Sequence, residues 1–343
     1  MVDALAEELA IRQNYLPNKH ISTIYFGGGT PSLLEPKALG GIINAIKQLY
    51  SVDADAEITL EANPDDITNE MVLGWMEAGV NRLSIGVQSF RDEDLKWMNR
   101  SHGSNQALSS IAIAQEMGIT NISMDLIYAL PALSDAAWLR NIQTAISTGI
   151  QHFSCYCLTV EEKTKLNQLI KTAQTPDVDE DQSARQFAIL MDEMQNQGFE
   201  HYEISNFAKP RFRSRHNSNY WNRVPYIGIG PSAHSFDGAS RQWNISSNTA
   251  YLKGIANKDL KTEREDLSIK DQFNETIMTR LRTNEGLALA DIQQRFEAEF
   301  INNIETQMPL LIKQGLLEQT NNYIKLTREG KFLADDVAAR LFQ

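Results

Sequence analysis

Cysteine is nearly absent: two thiols, Cys155 and Cys157, serve all 343 residues. So small a supply excludes a disulfide-stapled scaffold and fits a reducing compartment. No run of about 18 apolar residues occurs, so no transmembrane helix is expected. The N-terminus lacks the basic and apolar regions of a secretory signal. Positive charge is also short, with 32 Lys and Arg against 44 Asp and Glu and a formal charge of −12. That balance argues against a nucleic-acid surface or a face for anionic membranes. The expectation is a cytoplasmic protein. Its 42% hydrophobic and 22% charged content is ordinary for a globular chain, here long enough for a large and a small domain.

What is present centres on Ile24-Tyr25-Phe26-Gly27-Gly28-Gly29-Thr30-Pro31-Ser32. A β-type run drives into three glycines, which weaken a strand and suit a place where something approaches the backbone closely. A plain strand-to-helix turn reads the same stretch equally simply.

Along the chain, Val2–Arg12 has helical spacing and leads almost at once into a strand at Thr23–Phe26. Helices are expected at 36–50, 68–78, 104–117, 135–147 and 182–198. Thr68 would cap the second of these, with Met71, Trp75 and Met76 on its apolar face. Strands are expected at 57–60, 82–87, 121–126, 152–158 and 200–204, with a polar connection from Lys163 to Asp181. Alternation of this kind implies parallel βαβ units. About six of them make an α/β fold, a partial (β/α)6-type barrel with ligands at the carboxyl ends of the strands. Residues 1–250 form this domain. From 251 to 343 the reading is a polar linker (Leu260–Leu267), three amphipathic helices (Gln272–Arg282, Leu289–Phe300 and Ile304–Gln314), a hairpin at Asn321-Asn322 and a last helix capped by Thr327. That is a small, mostly helical, winged-helix-like domain suited to a lid or an interaction surface.

Glu61, Gln88 and Asp125 each end a strand and project from the same rim as the glycines, with Arg100 one short helix beyond Gln88. Singly, each also reads as a turn or capping residue, and Arg100 as a solvated helix-end cation. Together they converge on one barrel mouth.

Phe26–Ser32, Glu61-Ala62-Asn63-Pro64, Asn81–Phe90 and Met124-Asp125-Leu126-Ile127-Tyr128 occur in this order. The set resembles the radical S-adenosylmethionine (SAM) proteins related to oxygen-independent coproporphyrinogen III oxidase. Leu281–Leu287 and Leu326–Gly330 resemble that family's C-terminal domain, so the likeness runs the length of the chain. It implies that Gly28, Gly29 and Thr30 line the methionine moiety of SAM and that Glu61, Gln88, Arg100 and Asp125 contact the rest. It also implies a 4Fe-4S cluster that reduces SAM to a 5′-deoxyadenosyl radical, the protein supplying orientation and a dry site. Ala129 stands where the family usually has glycine, and a methyl is tolerated there if φ is negative.

The larger departure is the family's Cys-x3-Cys-x2-Cys loop, which this chain lacks. Cluster iron needs several thiolates held together. Cys155 and Cys157 alternate onto one face of a strand and read as core residues. Three explanations stand: a first strand and cysteine loop lost upstream of Met1, which the abrupt helical start favours; a natural descendant without a cluster; or ligands from another chain. On any of them this chain alone does not ligate the cluster and is not a competent oxidase.

A second concentration of functional residue types is Arg213–Trp221 followed by Tyr226–Ser235, with two histidines, Arg213, Arg215 and Arg223, aromatics and a glycine-rich turn. A packed aromatic loop explains it, and so does a flat apolar ligand with carboxylates: rings to stack on, arginines for propionates, a histidine for iron. His216-Asn217-Ser218-Asn219-Tyr220-Trp221 resembles the His-Asn-x-x-Tyr-Trp motif of the HemW-type haem chaperone branch. On that resemblance the haem residues are His216, Asn217, Tyr220, Trp221 and His234, with His216 the first choice of ligand and His234 the second. The partners implied are haem or porphyrin, acceptor haemoproteins and, transiently, a membrane protein. The rival readings are a coproporphyrinogen III oxidase and a cluster-less interaction scaffold.

Overall fold

The computed structural model describes residues 1–343. Strands β1 (His20–Phe26), β2 (Ser51–Ala62), β3 (Arg82–Gln88), β4 (Ile122–Tyr128) and β5 (His152–Cys157) neighbour one another in chain order. Strands β6 (Glu200–Glu203) and β7 (Asn206–Ala208) complete a seven-stranded curled half-barrel, in the order β5-β7-β6. Pairing is parallel from β2 through β5 and antiparallel for β5–β7 and β7–β6. The strand foreseen at 200–204 therefore enters as half of a hairpin. Only Ile204 and Ser205 separate β6 from β7, too few for the crossover that a parallel pair requires.

Helices Pro36–Leu49, Asn69–Ala78, Ser104–Glu116, Asp135–Ser147 and Glu180–Asn196 supply the expected alternation. Thr68 Oγ1 accepts from the Met71 amide at 3.2 Å, as a cap should. Val72 and Trp75 are the residues that helix buries, whereas Met76 is exposed. The polar connection at 163–181 contains a short helix, Lys165–Lys171, started by Thr164 accepting from the Asn167 amide at 3.2 Å.

Period-2 alternation divides the strands between two chemistries. One face carries Leu60, Ile85, Met124, Leu126, Phe153 and Cys155, all essentially buried. The other carries Glu61, Ser84, Asp125, Ser154 and Asn206, with Glu61 paired to Ser84, Asp125 to Ser154 and Ser154 to Asn206 in register. Leu126 pairs with Cys155 and Tyr128 with Cys157, so both thiols lie on the apolar face. Cys155 is buried, as a core residue should be, whereas Cys157, near the end of the strand, is only half-buried, its Sγ 3.5 Å from Ser183 Oγ.

The chain forms two compact units, one from Ile24–Lys37 and Glu57–Ser214, the other from Met1–Thr23, Ala38–Ala56 and Arg215–Gln343. The second unit contains an antiparallel sheet of β8 (His234–Phe236), β9 (Ser240–Asn244) and β10 (Thr262–Asp266) in the order β10-β9-β8. The linker foreseen at Leu260–Leu267 is largely β10. Its exposed Glu263, Arg264 and Glu265 made it read as solvated coil, yet a charged strand is how a sheet edge is kept from pairing further.

Beyond it come helices Ile269–Leu281, Leu289–Arg295 and Ala298–Lys313, then a sheet of β11 (Leu287–Ala288), β12 (Leu317–Thr320) and β13 (Tyr323–Leu326). The β12–β13 turn holds Asn321 at φ 55, a left-handed position that Asn tolerates. The helix foreseen at 289–300 breaks at Phe296, which is extended and buried against Phe273. The last helix likewise breaks at Leu333, giving Arg328–Phe332 and Ala334–Leu341. No helix is long and apolar enough to cross a membrane.

Candidate functional site

The first site lies wholly in the unit that contains the strand ends. Gly28 and Gly29 take φ +78 and +69, left-handed values that L side chains rarely adopt, and a Cβ built on either would meet nothing within 4 Å. Space therefore stands open in front of this backbone. Gly27 is glycine for a different reason: its Cβ would sit 2.6 Å from the Tyr25 ring and 2.8 Å from Glu61 Oε1. Glu61 is pinned there, accepting from Tyr25 O–H at 2.7 Å and from the Gly28 amide at 3.1 Å. Thr30 follows, half-buried, before the turn at Pro31–Leu33.

Asp125 lies on the same face, with Ser84 Oγ donating at 3.5 Å and Ser154 in register beside it. Burial first, and then the charge of Glu61, pushes its carboxyl up to about 7. Two carboxyls near one another cannot both ionise cheaply, so Asp125 is poised to hold or release a proton near neutrality. The same logic, burial and then the Glu61 carboxylate, raises the Tyr25 phenol.

Gln88 ends β3 at φ 69, immediately after a bulge in the β3–β4 pairing. A left-handed Gln is a strained position. Its surroundings are fixed: Ser89 Oγ donates to buried Asp94 at 2.8 Å, and Asn141 Nδ2 donates to Ser89 Oγ at 2.9 Å. Arg100 does reach back over the strand ends, donating to Asn63 Oδ1 at 2.7 Å and to the Gly86 carbonyl at 3.0 Å. A Cβ at Gly86 would lie 3.0 Å from Gln88 Nε2 and 3.3 Å from Arg100 Nη2, so these two side chains meet over a glycine. Buried His102 clamps the end of β3, with Nε2 3.1 Å from the Val87 carbonyl.

Ala129 differs from expectation. Its φ is +61, so the methyl that a negative φ would have made harmless occupies a left-handed residue. The position is held because its buried amide donates to Gln186 Oε1 at 2.8 Å.

The second region lies wholly in the other unit. Helix Arg215–Trp221 carries His216, Asn217, Tyr220 and Trp221. His216 and Tyr220, one turn apart, meet edge-on with ring centres 4.9 Å apart, Tyr220 meets Tyr226 at 4.7 Å, and Tyr226 approaches Phe236 at 6.3 Å. His216 Nδ1 lies 3.0 Å from Thr23 Oγ1, and burial pushes its pKa down to about 4, so the ring is neutral at physiological pH. The Arg282 guanidinium sits over the Trp221 ring at 5.3 Å. His234 is brought near the far end of this ladder by β8, stacked on Trp243 at 5.7 Å.

The three arginines foreseen for propionates each engage a carboxylate of the chain. Arg213 pairs with Glu200 in the first unit, Arg215 with Asp55, and Arg223 with Glu275.

What supports the second region was not visible in its own motif. Glu8 is fully buried and accepts four hydrogen bonds: Arg12 Nη1 at 3.2 Å, Asn244 Nδ2 at 2.7 Å, Tyr251 O–H at 2.6 Å and the Gly230 amide at 2.8 Å. Arg12 also donates to the Gly228 carbonyl and to Ser235 Oγ, both at 2.9 Å. The only sequence signal was the four-residue spacing of Glu8 and Arg12 on one helix. In the first site the missed members are Tyr25, Asn63, Ser84 and Ser154. Continuing the two-residue period from Gly27, Glu61, Gln88 and Asp125 would have found Tyr25, Asn63 and Ser84.

A parallel half-barrel with glycines and carboxylates at its strand ends defines a class, and the class has a counterpart. Residues 3–145 match the radical SAM superfamily, and residues 267–333 match the HemN C-terminal domain. The chain is 32% identical to the heme chaperone HemW of Bacillus subtilis over 98% of its own length and 89% of the relative's. It is 31% identical to Escherichia coli HemW, covering 94% and 84%. The structure of coproporphyrinogen III oxidase (HemN) from Escherichia coli shares the fold with a TM-score of 0.84 at 22% identity, over 99% of this chain and 82% of that one. The chain belongs to the HemW family of radical SAM proteins.

The radical SAM family implies SAM and a 4Fe-4S cluster. The open left-handed glycines beside Glu61 and Asp125 fit the polar end of SAM. The chain's thiols do not fit the cluster, since there are only two and both lie on the apolar face of the sheet, opposite Asp125.

Proposed function

We propose that this chain binds SAM at the strand ends and haem on the His216–Phe236 face, and hands haem to acceptor proteins. The observation that carries the haem half is the run of rings from His216 through Tyr220 and Tyr226 to Phe236, with His234 at its far end. A flat apolar macrocycle needs such a surface, and a histidine beside it can supply a ligand to the iron. The Bacillus subtilis and Escherichia coli relatives, both named heme chaperones, support the same reading. The SAM residues are Gly28, Gly29, Thr30, Glu61, Gln88, Arg100 and Asp125. The haem residues are His216, Asn217, Tyr220, Trp221 and His234. Residues 251–343 act as the HemN-type domain, and the protein works in the cytoplasm on acceptor haemoproteins, some of them membrane-bound.

Haem titration followed in the Soret region, beside SAM titration by calorimetry, tests both halves. A saturable spectral shift with one haem per chain is expected, and its absence sinks the haem half alone. Heat that does not saturate with SAM sinks the other. The oxidase reading stands on the shared fold, and it needs protoporphyrinogen formation from a chain supplied with the cysteine loop.

A further inference from the structure

The two histidines of the proposed haem face differ in what already holds them. His216 is part of the framework: Nδ1 faces Thr23 Oγ1 at 3.0 Å and the ring is wedged edge-on against Tyr220. His234 is exposed on β8, and no hydrogen bond engages its ring; its contact is the face of Trp243. Its backbone is nevertheless closely packed. Gly228 packs so tightly that a Cβ there would stand 2.1 Å from the His234 carbonyl oxygen.

The β8–β9 ribbon sets His234 opposite Trp243 and Phe236 opposite Arg241, so four side chains share one face in two successive rows. Arg241 bonds Glu275 Oε1 through Nη2 at 2.6 Å, and its side chain stays 40% exposed. A guanidinium has donors to spare for a second carboxylate. On the neighbouring strand Glu263 accepts from Trp243 Nε1 at 3.1 Å and Glu265 pairs with Arg241 in register. Arg223 lies over the Phe236 ring at 5.0 Å but is mostly buried against Glu275, so the exposed cation on this face is Arg241.

We propose that His234 is the ligand to haem iron and that Arg241 receives a propionate; the assignment rests on the haem-binding reading above. An exposed imidazole with a closely packed backbone but no locking hydrogen bond suits cargo that has to leave. A ligand from the acceptor can reach the iron, and His234 yields it without dismantling a buried network. His216 serves as a positioning residue that holds the aromatic ladder.

The test is haemin titration of the full chain, read by absorption and electron paramagnetic resonance. His234→Ala should weaken saturable binding by about tenfold or more, since even an outer-shell partner of a metal ligand is worth about 10–100-fold in affinity. His234→Cys should retain binding and move both spectra to those of thiolate ligation. His20→Ala, at an exposed histidine paired with Asp53, should keep wild-type spectra. Arg241→Gln should weaken haemin several-fold while leaving haemin dimethyl ester, which keeps the iron and masks the carboxylates, unaffected. Wild-type spectra and affinity in His234→Ala, or band positions that respond to His216→Ala instead, would overturn the assignment and leave haem binding intact. No saturable change in the wild type would overturn both.

Discussion

The two regions use titratable groups in opposite ways. At the strand ends, Glu61 and Asp125 are carboxyls on one polar face, and Asp125 is pushed up to about 7 by burial and by its neighbour's charge. In the second region His216 is pushed down to about 4 by burial alone, while the one deeply buried carboxylate, Glu8, is surrounded by four donors. The first arrangement keeps charge in tension, as a ligand site does. The second surrounds its buried carboxylate with donors and uses it as a scaffold.

The largest effect should come from breaking the scaffold. Glu8→Ala leaves Arg12, Asn244, Tyr251 and the Gly230 amide without their acceptor, and removing one partner of a buried ionic network costs about 3–5 kcal/mol. Denaturant unfolding should show a loss of that order. A loss below about 1 kcal/mol would mean that water replaces the carboxylate and that the two regions differ less in how they treat buried charge.

Next in size is pH dependence, where the two regions should pull in opposite directions. Asp125 binds its proton more tightly folded than unfolded, so its contribution to stability is full below about pH 4 and is lost as pH rises toward about 7. His216 binds its proton more weakly folded, so its contribution is present above about pH 6.5 and is lost as pH falls toward about 4. Melting curves of Asp125→Asn should lack the first trend, and those of His216→Phe the second. Each amounts to roughly 1–4 kcal/mol over its range, since a tenfold change in proton affinity is worth about 1.4 kcal/mol.

A smaller effect should separate the glycines by role. Gly28→Ala forces an alanine into φ +78 and should cost about 1–2 kcal/mol. Because the space in front is open, the variant should fold yet bind SAM more weakly; unchanged SAM affinity would remove Gly28 from the site. Smallest is Ala129→Gly, which relieves φ +61 and should stabilise by about 0.5 kcal/mol once the extra backbone freedom is subtracted. A lower melting temperature would mean that the buried methyl matters more than the strain.

Much of the first region was legible. A strand has a two-residue period, so Glu61, Gln88 and Asp125 could be placed on one rim beside the glycines from spacing alone. Arg100 was legible as a candidate because it sits one short helix beyond Gln88, although its bonds to Asn63 and Gly86 required the fold. The second region was legible as a cluster of residue types and not as an arrangement. Strands β8, β9 and β10 are short or charged, and the pairing that makes β10 a strand rather than a linker joins residues about twenty apart. The breaks at Phe296 and Leu333 likewise interrupt helical periodicity for reasons of packing.

By itself the sequence determined what depends on local period and local chemistry: the alternation of strand and helix, the cap at Thr68, the polar strand ends and the scarcity of thiols. Tertiary structure decided what depends on partners far away in the chain. It put Cys155 and Cys157 on the face away from Asp125, since strand register and not spacing chooses the side. It set Ala129 at a positive φ through a hydrogen bond to Gln186, 57 residues on. And it joined Glu8 to Gly230, Asn244 and Tyr251, because a buried carboxylate is stable only where distant donors converge on it.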